Sequence, residues 1–164
     1  MRFSSSQIQS LFVGGDDDSD SDAWCPGDRA ETSTFQRCEQ GQETDTLGPP
    51  PTQFAHGDTT GIASHVGQLE FTYDLTVNLS NGSGTGSGHL FAANGDRIDT
   101  TIVGQFELTS PGVGSITEVN TIMGGTGRFA GAQGSFTVER LINLGTGLTS
   151  GSFHGYITSP DAAD

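Results

Sequence analysis

The sequence predicts an all-β protein, a single antiparallel up-and-down β-barrel of about eight strands, on three observations. From Thr52 onward, runs of about ten residues alternate apolar and polar side chains with period two, and short Gly-containing turns separate them. Glycine takes 25 of 164 positions, and Ser, Thr and Asn fill much of the rest, a composition of strands and turns. No stretch carries the apolar stripe of an amphipathic helix. A chain of this length, with few large apolar side chains, fills one core.

The expected layout is a flexible acidic tail over 1–30, a barrel domain over 31–160 and a short C-terminal tail over 161–164. The run Asp16 to Asp22, DDDSDSD, repels itself and brings nothing to a core. Read as a calcium loop from Asp20 it reaches Glu31 at the twelfth position, but Trp24 and Cys25 occupy the fifth and sixth, where the loop needs a turn-forming Gly. A solvated linker is the simpler reading. Cys25 and Cys38 are spaced so that either a disulfide or two free thiols is open. The opening apolar stretch, Leu11 to Val13, is far shorter than a secretory or membrane-spanning segment, so the compartment is left undetermined.

Along the barrel, a first short strand is expected near Thr32 to Gln40, ending before Gly48-Pro-Pro-Pro51 because a central strand cannot hold three prolines. Later strands are expected near 52–65, 67–79, 83–93, 96–109, 115–123, 134–144 and 148–159. The clearest runs from Gly67 to Leu79: Leu69, Phe71, Tyr73, Leu75, Val77 and Leu79 share the buried face, and Gln68, Glu70, Thr72, Asp74, Thr76 and Asn78 the wet one. Asn94-Gly95, read as a two-residue turn, pairs Phe91 with Ile98 and His89 with Thr100. A three-residue loop Ser80-Asn81-Gly82, with Gly82 left-handed, then sets Tyr73 opposite His89. VNLSNGSGTGSGHL from Val77 is echoed by INLGTGLTSGSFHG from Ile142, so Gly147 plays the part of Gly82; the same geometry pairs Val138 with His154, Phe136 with Tyr156 and Arg140 with Ser152.

The segment GGTGRFAGAQGSF, Gly124 to Phe136, lies between the strand-like TEVNTIM and TVERLINL. Its glycines supply backbone freedom and Phe129 and Phe136 supply anchors. A dinucleotide loop would open a helix, whereas β-branched and aromatic residues follow here. This stretch resembles the glycine-rich segment of the allene oxide cyclase and dirigent barrels, and the order of strands is similar to that of small bacterial allene-oxide-cyclase-like proteins. The resemblance implies cofactor-free chemistry, a cyclisation or isomerisation inside the lumen, and a homo-oligomer, dimer or trimer. Allene oxide cyclases use an early-strand Glu, an Asn and a water; Glu39 or Glu43 holds the analogous early position, and no full catalytic set transfers.

Twenty acidic residues face six basic ones, all Arg, which argues against nucleic acid and anionic membranes and removes lysine chemistry; the chain is expected to be soluble, with neither nucleic acid nor a membrane as partner. The four histidines have no metal-ligand spacing, and no Ser sits in a nucleophile-elbow context, so neither a metal nor any other cofactor is expected. The candidate catalytic residues are Tyr73, His89, Glu118 and Arg140: Tyr73 with His89 for acid–base work, Arg140 for a substrate carboxylate, and Glu118, if inward, as its partner. Phe71, Phe91, Phe106, His154 and Tyr156 are expected to line the substrate. Two function classes follow, a small-molecule-binding barrel acting as a cofactor-free cyclase or isomerase on an apolar substrate, and a non-enzymatic, exported or structural barrel filled by its own side chains.

Overall fold

The computed structural model of the chain describes residues 35–63 and 67–158, with the backbone alone over 35–38. The acidic tail, Trp24, Cys25, His65 and the Cys38 side chain lie outside the described residues. Eight strands run in chain order: β1 (Phe35–Leu47), β2 (Thr52–Ala63), β3 (Gly67–Asn78), β4 (Ser83–Ala92), β5 (Arg97–Ser110), β6 (Val113–Gly125), β7 (Gln133–Asn143) and β8 (Leu148–Thr158). Each pairs antiparallel with its neighbours, and β8 returns to β1, closing the barrel. Closure leaves no edge strand unpaired.

Period-two alternation builds this wall. On β3, Leu69, Phe71, Tyr73 and Leu75 are buried in the lumen while Glu70, Asp74 and Thr76 are exposed, as expected. An eight-stranded barrel is just wide enough for inward side chains to fill. Phe71, Tyr73, Phe136 and Phe153 form a chain of ring contacts across it, with centroids 5.6 to 6.2 Å apart. Ile98, Ile102, Leu90 and Ile122 pack around them. Several inward glycines are the receiving half of this packing: a Cβ at Gly57 would fall on the Tyr73 ring, at Gly88 on Phe71 and at Gly114 on Phe106.

β1 is longer than the sequence suggested, running to Leu47, directly before the proline turn. Both hairpin registers differ from expectation by one residue. Around Asn94-Gly95 the Gly95 amide donates to the Ala92 carbonyl (2.9 Å) and the Ala92 amide to the Asp96 carbonyl (2.9 Å), so the loop has the three residues of a turn plus G1 bulge. At the β3–β4 turn Asn78 pairs with Ser83, leaving a four-residue loop, Leu79 to Gly82, closed by the Gly82 amide on the Asn78 carbonyl (2.8 Å), so that Leu79, expected on the buried face, belongs to the turn and is 52% exposed. Tyr73 therefore faces Gly88, and His89 lies opposite Thr72 and Asp99. The β7–β8 turn repeats this: Phe136 pairs with Gly155, Val138 with Phe153 and Arg140 with Gly151.

Tertiary docking, invisible in the turn sequence, selects the longer loops. Gln105 Nε2 donates to the Asn81 carbonyl (2.7 Å) and the Phe106 amide to the Gly82 carbonyl (2.8 Å). In the second turn Gln42 Nε2 donates to the Thr146 carbonyl (2.6 Å) and the Glu43 amide to the Gly147 carbonyl (2.8 Å). Gly82 and Gly147 share φ 72°, and the echo between the two segments is a real equivalence of turns. The Gly124 to Phe136 segment crosses from β6 to β7 through one 3-10 turn and buries Phe129 and Ala132 at one end of the lumen. Gly127, at φ 55°, takes a backbone conformation that resists a β-branched residue.

Candidate functional site

β7 brings Arg140 inward because its alternation places Phe136, Val138, Arg140 and Ile142 on the buried face. A guanidinium in that position needs anions, and two strands supply them. From β6, Glu118 forms a fork: Arg140 Nη2 donates to Oε1 (2.9 Å) and Nε to Oε2 (3.2 Å). From β1, Glu43 Oε2 lies 2.8 Å from Nη2 and also accepts from the Tyr73 hydroxyl (2.7 Å). Arg140 Nη1 donates to Thr149 Oγ1 (3.1 Å), and the guanidinium carbon sits 4.9 Å from the Tyr73 ring centre. Burial by itself would lower the Arg140 pKa, but Glu118, Tyr73 and Glu43 outweigh it and hold the cation charged. Burial raises the Tyr73 pKa, so the phenol stays a donor.

A third carboxyl, Glu39 of β1, is 5% exposed and has no cation in contact. Burial, with some repulsion from Glu118 and against the pull of Arg140, pushes its pKa from 4.5 up to about 7. Its Oε2 lies 3.4 Å from Thr59 Oγ1, and its Oε1 has no partner among the described residues. Deeper along β6, Asn120 is fully buried, accepts from Thr100 Oγ1 (3.1 Å) and leaves its own Nδ2 without an acceptor among the described residues. The lumen thus offers a carboxyl that changes charge near neutral pH and an uncommitted amide donor.

The raised Glu39 pKa has a consequence for stability. The folded protein keeps a proton that the unfolded chain releases above about pH 4.5, so the stabilising contribution is full below that pH and is lost as pH rises through about 7. Replacing Glu39 by Gln is expected to flatten stability over this window and to leave the variant up to about 3 kcal/mol more stable than wild type at alkaline pH. Urea unfolding at a series of pH values measures it. A wild-type curve that rises over the window, or a parallel curve for the variant, would contradict the assignment.

Of the residues expected from sequence, Tyr73, Glu118 and Arg140 meet in this cluster, and Phe71 stacks against Tyr73 beside it. Phe106 turns inward over Gly114, toward the barrel end closed by the β1–β2, β3–β4, β5–β6 and β7–β8 turns. Four placements are corrected. His89, Phe91, His154 and Tyr156 lie on the outer face, because the one-residue longer turns exchange the two faces of β4 and β8. His89 Nδ1 instead contacts Asp99 Oδ1 (2.6 Å), and Tyr156 is 58% exposed. Tyr73 therefore partners Glu43 in place of His89.

Asn120, Thr59 and Thr149 are not identified as lumenal by sequence patterning, and Glu39 and Glu43 enter only as alternative early-position candidates. Their one signal is phase: Glu39, Gly41 and Glu43 alternate within β1, but carboxylates in such a pattern normally read as the wet face. Outside, His56 Nδ1 contacts Asp74 Oδ1 (2.8 Å), which raises the His56 pKa, and two concavities of about 360 and 270 Å³ lie along the outer faces of β1 to β4. Such exposed pairs contribute little to stability. No family model, curated protein or solved structure matches this chain.

Proposed function

We propose that the barrel binds a small, largely apolar molecule in its lumen and acts on it without a cofactor, as an isomerase or cyclase using proton transfer. The observation that carries this reading is the pair of uncommitted buried groups, Glu39 Oε1 and Asn120 Nδ2, in a lumen whose other polar side chains are hydrogen-bonded to one another. A buried donor and acceptor left open are costly unless something uses them. Glu39, titrating near neutral pH, suits general acid or base work, and Asn120 Nδ2 suits a substrate carbonyl or epoxide oxygen. Tyr73, Phe71, Phe136 and Phe153 supply the wall against which an apolar chain folds. Arg140, Glu43 and Glu118 hold that wall in place.

The second reading, a barrel filled by its own side chains, is favoured by the way Tyr73 and Phe71 occupy the spaces over Gly57 and Gly88. Titration of isotope-labelled protein with cyclohex-2-enone and a medium-chain epoxide separates the two. Binding in the lumen is expected to shift the Asn120 side-chain amide saturably and to weaken about tenfold in Asn120→Ala, the loss of one well-placed hydrogen bond. A silent amide, together with a higher melting temperature for Asn120→Leu, would establish the self-filled barrel instead.

A further inference from the structure

The two ends of the barrel differ in a way that the lumen chemistry does not require. Four turns close one end: Gly48 to Pro51, Leu79 to Gly82, Pro111 to Gly112 and Leu144 to Gly147. None of them contains a charged residue, in a chain with a formal net charge of −14. Around the same end stand Leu47, Leu79, Leu108, Leu144 and Leu148, each between 45% and 76% exposed. Leu79 and Leu144 occupy matching positions in the two equivalent turns. The nearest charges along the strands are the exposed carboxylates of Asp45 and Glu107. At the opposite end Asp96, Arg97, Asp99 and Arg128 form ion pairs on and beside the turns.

We propose that this leucine-rimmed end docks onto an electrically neutral, zwitterionic lipid surface. The five side chains come from β1, β5, β8 and both equivalent turns, around the mouth of the closed barrel, so an extended surface reaches more of them than a peptide or helix laid along one side. Leucines on uncharged turns insert among lipid headgroups at no cost in buried charge. The acidic remainder turns away from the surface, and the charge balance that opposes an anionic membrane does not oppose a neutral one. A second copy is the poorer occupant, because two chains of −14 repel each other. The outer wall carries exposed carboxylates in mid-strand, Asp58, Glu70, Asp74 and Glu139, which a barrel embedded in lipid would not place there, so the contact is made by the end alone. The proposal stands apart from the lumen's chemistry.

Flotation of the full chain with vesicles tests it. The protein is expected to float with phosphatidylcholine vesicles and less so when phosphatidylglycerol is mixed in. The double variant Leu79→Ser with Leu144→Ser, at exposed turn positions, should keep its melting temperature and lose binding by about tenfold. Ile62→Ser with Met123→Ser, which removes exposed apolar side chains from the other end, should bind as wild type does. Failure of the wild-type chain to float, full binding by the rim variant, or a dimer that the rim variant dissolves in the absence of vesicle binding would each overturn the proposal.

Discussion

Replacing Arg140 by Ala is expected to destabilise the barrel by about 3 to 5 kcal/mol, the cost of leaving buried carboxylates without their cation. Arg140 is 3% exposed and is the hub that Glu118, Glu43 and Thr149 share, with the Tyr73 ring beneath it. Its loss strands Glu43 and Glu118 in the lumen and removes the packing of its methylenes. Denaturant unfolding measures the change. The combined variant Arg140→Met, Glu118→Met, Glu43→Gln should recover much of the loss, because replacing a whole buried ion cluster by apolar or neutral groups costs far less than removing one partner. A single variant as stable as wild type would mean that the cluster is solvated and that its carboxylates never needed Arg140.

The second large effect is steric. A Cβ at Gly57 would fall on the Tyr73 ring, so Gly57→Val must drive that ring from its site and break the hydroxyl bond to Glu43. Overpacking and the lost charge-assisted hydrogen bond together amount to about 4 kcal/mol. Gly84→Ala is the matched control. Gly84 also faces inward, but its Cβ would meet only Val77 Cγ2 at 3.6 Å and the Thr76 carbonyl at 3.9 Å, ordinary contacts, so the melting temperature should barely move. Equal tolerance of both substitutions would show that Tyr73 does not rest over Gly57.

These two positions also illustrate what patterning can and cannot reach. Tyr73 and Arg140 were legible as inward residues because each sits in phase with large apolar neighbours on its own strand, a property of local sequence. Glu118 lies on a strand whose sequence alternates weakly, but in the fold it is in phase with buried Ile116 and Ile122 and so faces Arg140. Glu39 and Glu43 were obscured for the opposite reason: their strand alternates cleanly, but the buried face is the charged one, a choice that makes sense only once an Arg from a strand distant in the chain is known to lie beside them.

Composition and period-two alternation by themselves determined the all-β class, the strand order and the face of β3, β5 and β7, since these depend on each strand's neighbours along the chain. Register was decided elsewhere. The turns at Gly82 and Gly147 carry the glycine the sequence announces, but their length is selected by Gln105 and Gln42 reaching in from adjacent strands and by the amides of Phe106 and Glu43. One residue of loop separates the two outcomes, and because strand side chains alternate, that residue sends His89, Phe91, His154 and Tyr156 to solvent and seats glycines opposite Tyr73, Arg140 and Phe136. The candidate site is assembled from β1, β2, β3, β6, β7 and β8 by barrel closure, a long-range event that local sequence does not encode.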